Sequence, residues 1–143
     1  MLARDGDIAM AYPSFDAAVA ASHAALVAMA NADPEPSLAL WSRSAEAVLA
    51  NPLGPSKRGF AMIEPEVRRV AAMFAGAAGP LDFEEISRIV TPDLGCLTGV
   101  ERMQARHVGR DGIVQSGLRV TTLFKREDDG WRLVLRHADR VVA

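Results

Sequence analysis

The sequence predicts an α+β fold in which about three N-terminal helices precede a long, curved antiparallel sheet. Two observations carry this. Residues 1–78 hold 22 of the 25 alanines but only 7 of the Val, Ile and Thr residues, whereas residues 79–143 hold 15 of the latter and 3 alanines. Alanine favours helix and β-branched residues favour strand. In addition, Asp111-Gly112 and Asp129-Gly130 divide the second half into long strand-like runs, and Asp-Gly favours tight hairpin turns. Segregated helices and strands argue against a doubly wound sheet. With 143 residues, the chain is read as one domain, 1–143.

Residues 14–30 read as the first helix. Ser14 is a suitable N-cap and Asp16 a first-turn acid, with Phe15, Val19, Ser22, Leu26 and Met29 along one face. Pro34 or Pro36 starts a short second helix that ends near Trp41. Residues 45–50 form a short extended stretch, and the Pro- and Gly-rich segment 51–59 is a loop. Residues 60–75 make a third helix, with Ile63, Val67, Val70 and Phe74 inward. Strands are expected at 81–90, 95–108, 113–126 and 131–142, the last three as a meander. One face of such a sheet must be covered. Partial cover by the helices leaves a cone-shaped roll with a packed base and an open mouth, a natural small-molecule pocket.

Composition narrows the function classes. The net charge is −2, with no basic excess to suit nucleic acid. No apolar run is long enough to span a membrane, and the start of the chain, with Asp5 and Asp7, is no signal peptide. A cytoplasmic protein is therefore expected. The single Cys96 excludes an intrachain disulfide and reads as packing, and His23, His107 and His137 lie too far apart for a metal-ligand spacing. There is no Walker loop and no GxGxxG, so no cofactor is expected.

The run Leu118-Arg-Val-Thr-Thr-Leu-Phe-Lys-Arg-Glu-Asp-Asp-Gly-Trp131, continuing to His137-Ala-Asp139, resembles the closing hairpin of the NTF2-like superfamily, and within it the SnoaL-like and ketosteroid-isomerase-like branch. Asn51-Pro-Leu-Gly54 followed by Arg58-Gly59 resembles the loop after the first strand of ketosteroid isomerases. The resemblance implies a pocketed α+β roll. It also implies where catalytic groups would stand: the proton-moving Asp falls on Asn51, the oxyanion-binding Tyr near Leu26, and the second oxyanion acid near Thr122. An amide cannot accept a proton near neutral pH, leucine has no hydroxyl, and threonine is a weaker donor. Steroid isomerisation by that mechanism is not expected.

Other polar residues remain. His137 and Asp139 share a strand face, and by parity that is the face of Trp131, Leu133 and Leu135, so both are expected to be buried. His137 as an acid or base oriented by Asp139 would form a catalytic pair, with Arg119 or Arg136 binding a carboxylate or enolate oxygen. An Arg–Asp–His network that plugs the core or lines a dimer interface fits the same residues. Register is open: either Val120 and Thr122, or Arg119 and Thr121 through a bulge, face His137. Trp41 is a pocket wall or core, and Asn51 a ligand donor or a turn cap. His107 is expected in solvent near a hairpin tip; Glu101 and Arg102 alternate across a strand, so that one of them can face inward, with an outer-face salt bridge the favoured reading.

Two functions follow. One is an acid–base isomerase, cyclase or hydro-lyase acting on an apolar carbonyl compound. The other is a non-catalytic ligand-binding or assembly module. The expected partners are a small hydrophobic or carboxylate ligand and a second copy of the chain, since apolar residues on both strand parities near Leu123 and Val134 suggest a covered outer face.

Overall fold

The structure, a computed structural model, describes residues 12–141. Helix α1 spans Phe15–Ala30, and Ser14 caps it by accepting the Ala17 N–H at 3.0 Å. Helix α2 spans Glu35–Leu40. Its C-terminal carbonyls are held by two arginines: Arg43 donates to the Leu38 and Trp41 oxygens, and Arg132 to that of Ala39. Strand β1, Val48–Ala50, is shorter than the extended stretch expected. The following loop contains a further strand, β2 (Lys57–Arg58), which pairs with β1.

Helix α3, Phe60–Ala71, ends before Phe74, which opens strand β3 (Phe74–Ala77). The periodicity of Ile63, Val67 and Val70 runs on to Phe74 by coincidence. The main-chain groups there are taken up by β5 and not by another helical turn, with Phe74 opposite His107. Strands β4 (Asp82–Val90), β5 (Leu94–His107), β6 (Ile113–Glu127) and β7 (Gly130–Arg140) lie within a residue or two of expectation. Gly112 and Gly130 in the predicted hairpin turns take positive φ, 76° and 124°.

The sheet order is β2-β1-β7-β6-β5-β3, with β4 beside β3 along the same edge of β5. The β5-β6-β7 meander is antiparallel as expected, while β1 runs parallel to β7. The sheet is mixed and strongly curled, and the helices cover its concave face.

The core lies at one end of that face. Phe15 meets Phe124 edge-on at 5.5 Å and Trp131 at 5.8 Å, over Trp41, Leu40 and Leu133. Gly95 is required beneath this stack, since a Cβ there would stand 2.3 Å from the Phe15 ring. The ring is fully enclosed and cannot yield. Gly95→Ala should therefore lower unfolding stability by about 1–3 kcal/mol, the usual cost of overpacking a filled core. Urea denaturation checks this, and an unchanged midpoint would contradict the packing.

Candidate functional site

Beyond the packed end the concave face opens into a cavity of about 800 Å³. It lies between α1, α3, the Asn51–Leu53 loop and the inner faces of β5, β6 and β7. Small residues create the space: Ala25 on the helix side and Ala105 on the sheet leave room that larger side chains would fill.

Which β7 residues reach this face is decided by a bulge. Phe124 pairs with Leu133 and Leu123 with Leu135, so Val134 is an extra residue with no partner. Strand parity reverses there. Trp131 and Leu133 point inward before the bulge, while Arg136, Ala138 and Arg140 take the inner side after it.

The expectation that His137 and Asp139 are buried is therefore corrected: both are exposed, on the outer face. The bulged register places Thr121 opposite His137 and Arg119 opposite Asp139. Arg119 grips Asp139 through two hydrogen bonds of 3.0 and 3.1 Å, with the two side chains 67% and 56% exposed. The Arg, Thr, His and Asp do converge, but in a shallow outer groove shared with Ile86 and Thr98. Cys96 is half-buried on the same side.

Inside the cavity stands an ion pair that the sequence reading did not join. Arg136 donates from both terminal nitrogens to the Glu101 carboxylate, at 2.8 and 2.7 Å. The side chains are only 14% and 8% exposed. Burial opposes the charge on Arg136, but the charge of Glu101 and the hydrogen bonds outweigh it, and the guanidinium is held above its ordinary range. Glu101 was expected in an outer-face pair. It shares parity with Leu97 and Ala105, both buried, and that alternation is the signal that marks it as inward.

Thr122, opposite Arg136, is buried and lines the cavity. Asn51 caps its turn and also stands at the cavity: its Oδ1 accepts the Leu53 N–H at 3.0 Å, and the residue is part of the lining. Trp41 likewise is core, at 2% exposure, and wall. Leu26, where a ketosteroid isomerase would keep its Tyr, is an apolar part of the lining. His107 is half-buried against Phe74 with ring centres 4.9 Å apart, not solvated, because β3 takes its outer edge. His23 stacks on Phe83 at 4.4 Å. Burial pushes its imidazole below the ordinary value, partly opposed by Glu101 and reinforced by Arg136 and Arg88. It is therefore mostly neutral near pH 7.

Chemically, the site offers a fixed carboxylate with its counter-ion, a hydroxyl and an amide on an apolar background. No group of three or more His, Cys, Asp or Glu that could hold a metal occurs among the described residues. None of the described helices is long and apolar enough to cross a membrane.

No family model matches the sequence, and no curated protein matches it. Solved structures do match. One, described as a candidate calcium/calmodulin-dependent protein kinase type II association domain from Thiobacillus denitrificans, aligns with a TM-score of 0.75 at 23% identity, over 92% of this chain and 98% of that one. A ketosteroid isomerase-like protein from Erwinia carotovora atroseptica aligns at 0.70 and 15% identity, over 87% and 93%. An NTF2-like superfamily protein from Salmonella enterica serovar Typhimurium aligns at 0.69 and 18%, over 81% and 82%. The fold is NTF2-like, as the closing hairpin implied.

Removing one partner of the buried pair leaves an uncompensated charge. Arg136→Met should destabilise by about 3–5 kcal/mol, while the double change Glu101→Leu with Arg136→Met should recover much of that loss. Equal stability of the single and double variants in denaturant titrations would show that the pair is not buried in solution.

Proposed function

We propose that this NTF2-like protein binds a small organic molecule, apolar over most of its body, in the cavity above the Glu101–Arg136 pair. The observation that carries the reading is the cavity itself. Its volume is that of small-molecule sites, its walls are mainly apolar, and Asn51, Thr122 and the Glu101–Arg136 pair stand on its lining. Thr122, the second hydrogens of the Arg136 guanidinium and the amide nitrogen of Asn51 would meet an oxygen of the ligand. Trp41 would wall the deep end.

A library of oxygenated ring compounds, both uncharged and carboxylate-bearing, screened by thermal shift tests this. Saturable stabilisation is expected, rising with ligand concentration as linkage requires. It should fall several-fold for Thr122→Val and stay unchanged for His137→Ala, which lies on the other face. A library without a single saturable hit would remove the reading.

A second reading, acid–base turnover of an apolar carbonyl compound, is favoured by one observation: a carboxylate, Glu101, stands in the cavity beside a hydrogen-bond-donating cation. Glu101 would move the proton, and Thr122 with Arg136 would hold the developing oxyanion. Two of the solved structures with this fold are described as ketosteroid isomerase-like and as a dehydratase of the NTF2-like family. Turnover that survives Glu101→Gln would exclude this assignment.

The outer face supports a homodimer. Ile86 and Ile89 are 63% and 62% exposed there, and from Ile89 the row continues across the sheet through Cys96, Leu123 and Leu135. Four strands spaced about 4.8 Å apart, with roughly nine residues each, present about 600 Å², close to the roughly 800 Å² per partner of a stable interface. The open Arg119–Asp139 pair gives the face both charges, so a two-fold copy can match acid to base. Light scattering should give twice the chain mass at micromolar concentration, and Ile86→Glu with Ile89→Glu should give the monomer. A wild-type monomer would refute it.

A further inference from the structure

We infer that the cavity takes an amphipathic anion, with its apolar tail inward and its carboxylate-type head at the rim. The inference rests on the small-molecule reading and specifies the ligand class.

The formal charges along the cavity lining are unevenly distributed. Deep inside, Glu101 and Arg136 neutralise each other through two hydrogen bonds. Every other formally charged residue of the lining is a cation: Arg110 in the turn between β5 and β6, and Arg140 at the end of β7. This occurs in a chain whose net charge is −2. Asp111, the acid next to Arg110 in sequence, is exposed and does not line the cavity.

These two arginines also differ from most others. Arg43, Arg68, Arg69, Arg88, Arg102, Arg119, Arg126, Arg132 and Arg136 all donate to carboxylates or carbonyls. Neither Arg110 nor Arg140 has an ion pair among the described residues. Among the described residues no carboxylate or carbonyl takes up their side-chain donors, and guanidinium matches a carboxylate's two oxygens.

The wall behind them is of the opposite character. Met29, Met73 and Met103, with Val70 and Phe74, line the same space. Methionine is flexible and polarizable and adapts to an apolar chain of varied shape. A neutral deep end, a cationic rim and a soft apolar wall together orient an amphipathic anion head-out. A wholly neutral ligand would leave the rim cations without a role.

The probes are octanoate and 1-octanol, which share a chain and differ in charge. Binding is measured by calorimetry on the wild-type chain and on Arg110→Gln and Arg140→Gln. Both side chains are at the rim, outside the core, so the variants are expected to fold, which circular dichroism confirms. Octanoate should bind at least tenfold more tightly than octanol at low salt and lose most of that advantage at high salt. Each variant should weaken octanoate binding about three- to tenfold and leave octanol binding unchanged. Octanol binding as tightly as octanoate, or a preference indifferent to both arginines, overturns the head-out anion while leaving the small-molecule site intact. Binding of neither probe overturns the anion assignment, and a library without a hit as well overturns the site.

Discussion

One unpaired residue, Val134, sets the chemistry of both faces of this sheet. A strand alternates its side chains strictly, so an inserted residue exchanges inside and outside for everything after it. Before the bulge, β7 contributes Trp131 and Leu133 to the packed end. After it, β7 contributes Arg136 to the cavity and moves His137 and Asp139 to the far side. Without the bulge, Arg136 would face outward and Glu101 would stand in an apolar pocket with no counter-charge, at a cost of several kcal/mol. The ion pair and the bulge are thus two parts of one arrangement.

The cavity is a consequence of unequal filling. At the closed end large rings interlock: Phe15, Phe124, Trp131 and Trp41 leave no room even for a Cβ on Gly95. At the open end the same helix α1 offers Ala25, and the sheet offers Ala105 and Gly117. The alanine that makes the helix stable therefore also makes the space. The helical side supplies little polarity, and the charged groups of the lining all stand on the sheet half. Asn51, at the junction of β1 and the loop, is a polar exception from the first half of the chain.

Much of this was legible in the sequence. The segregation of alanine from β-branched residues gave the order of helices and strands, and the Asp-Gly turns gave the meander. The closing hairpin and the Asn51–Gly59 loop gave the NTF2-like fold. Trp41, Asn51 and Thr122 lie on the cavity lining, ahead of the bulge or on the strand opposite it. What was hidden was long-range. Strand β3 breaks a helical periodicity because β5 offers it main-chain partners some thirty residues away. The reversal in β7 follows from pairing with β6, and parity alone could not locate it. The consecutive apolar residues Leu133-Val134-Leu135 were its only local trace, and they read equally as a covered outer face. Glu101 was missed for a different reason: its alternation with Leu97 and Ala105 points inward, but a carboxylate is placed outside by default until its partner is known.

Strands β5 and β6 continue well past the end of β7. They pair from Leu94–Lys125 to Arg106–Ile113, whereas among the described residues the last bond along the other edge of β6 is the Val141 N–H donating to the Gly117 oxygen at 2.9 Å. Among the described residues, 113–116 of β6 thus have no strand on that edge. A ribbon tethered along only one side bends more easily than the middle of a sheet, and local opening there breaks few main-chain bonds. The packed core and the least tethered edge thus lie at opposite ends of the β5–β6 pair, and strand length alone sets them apart.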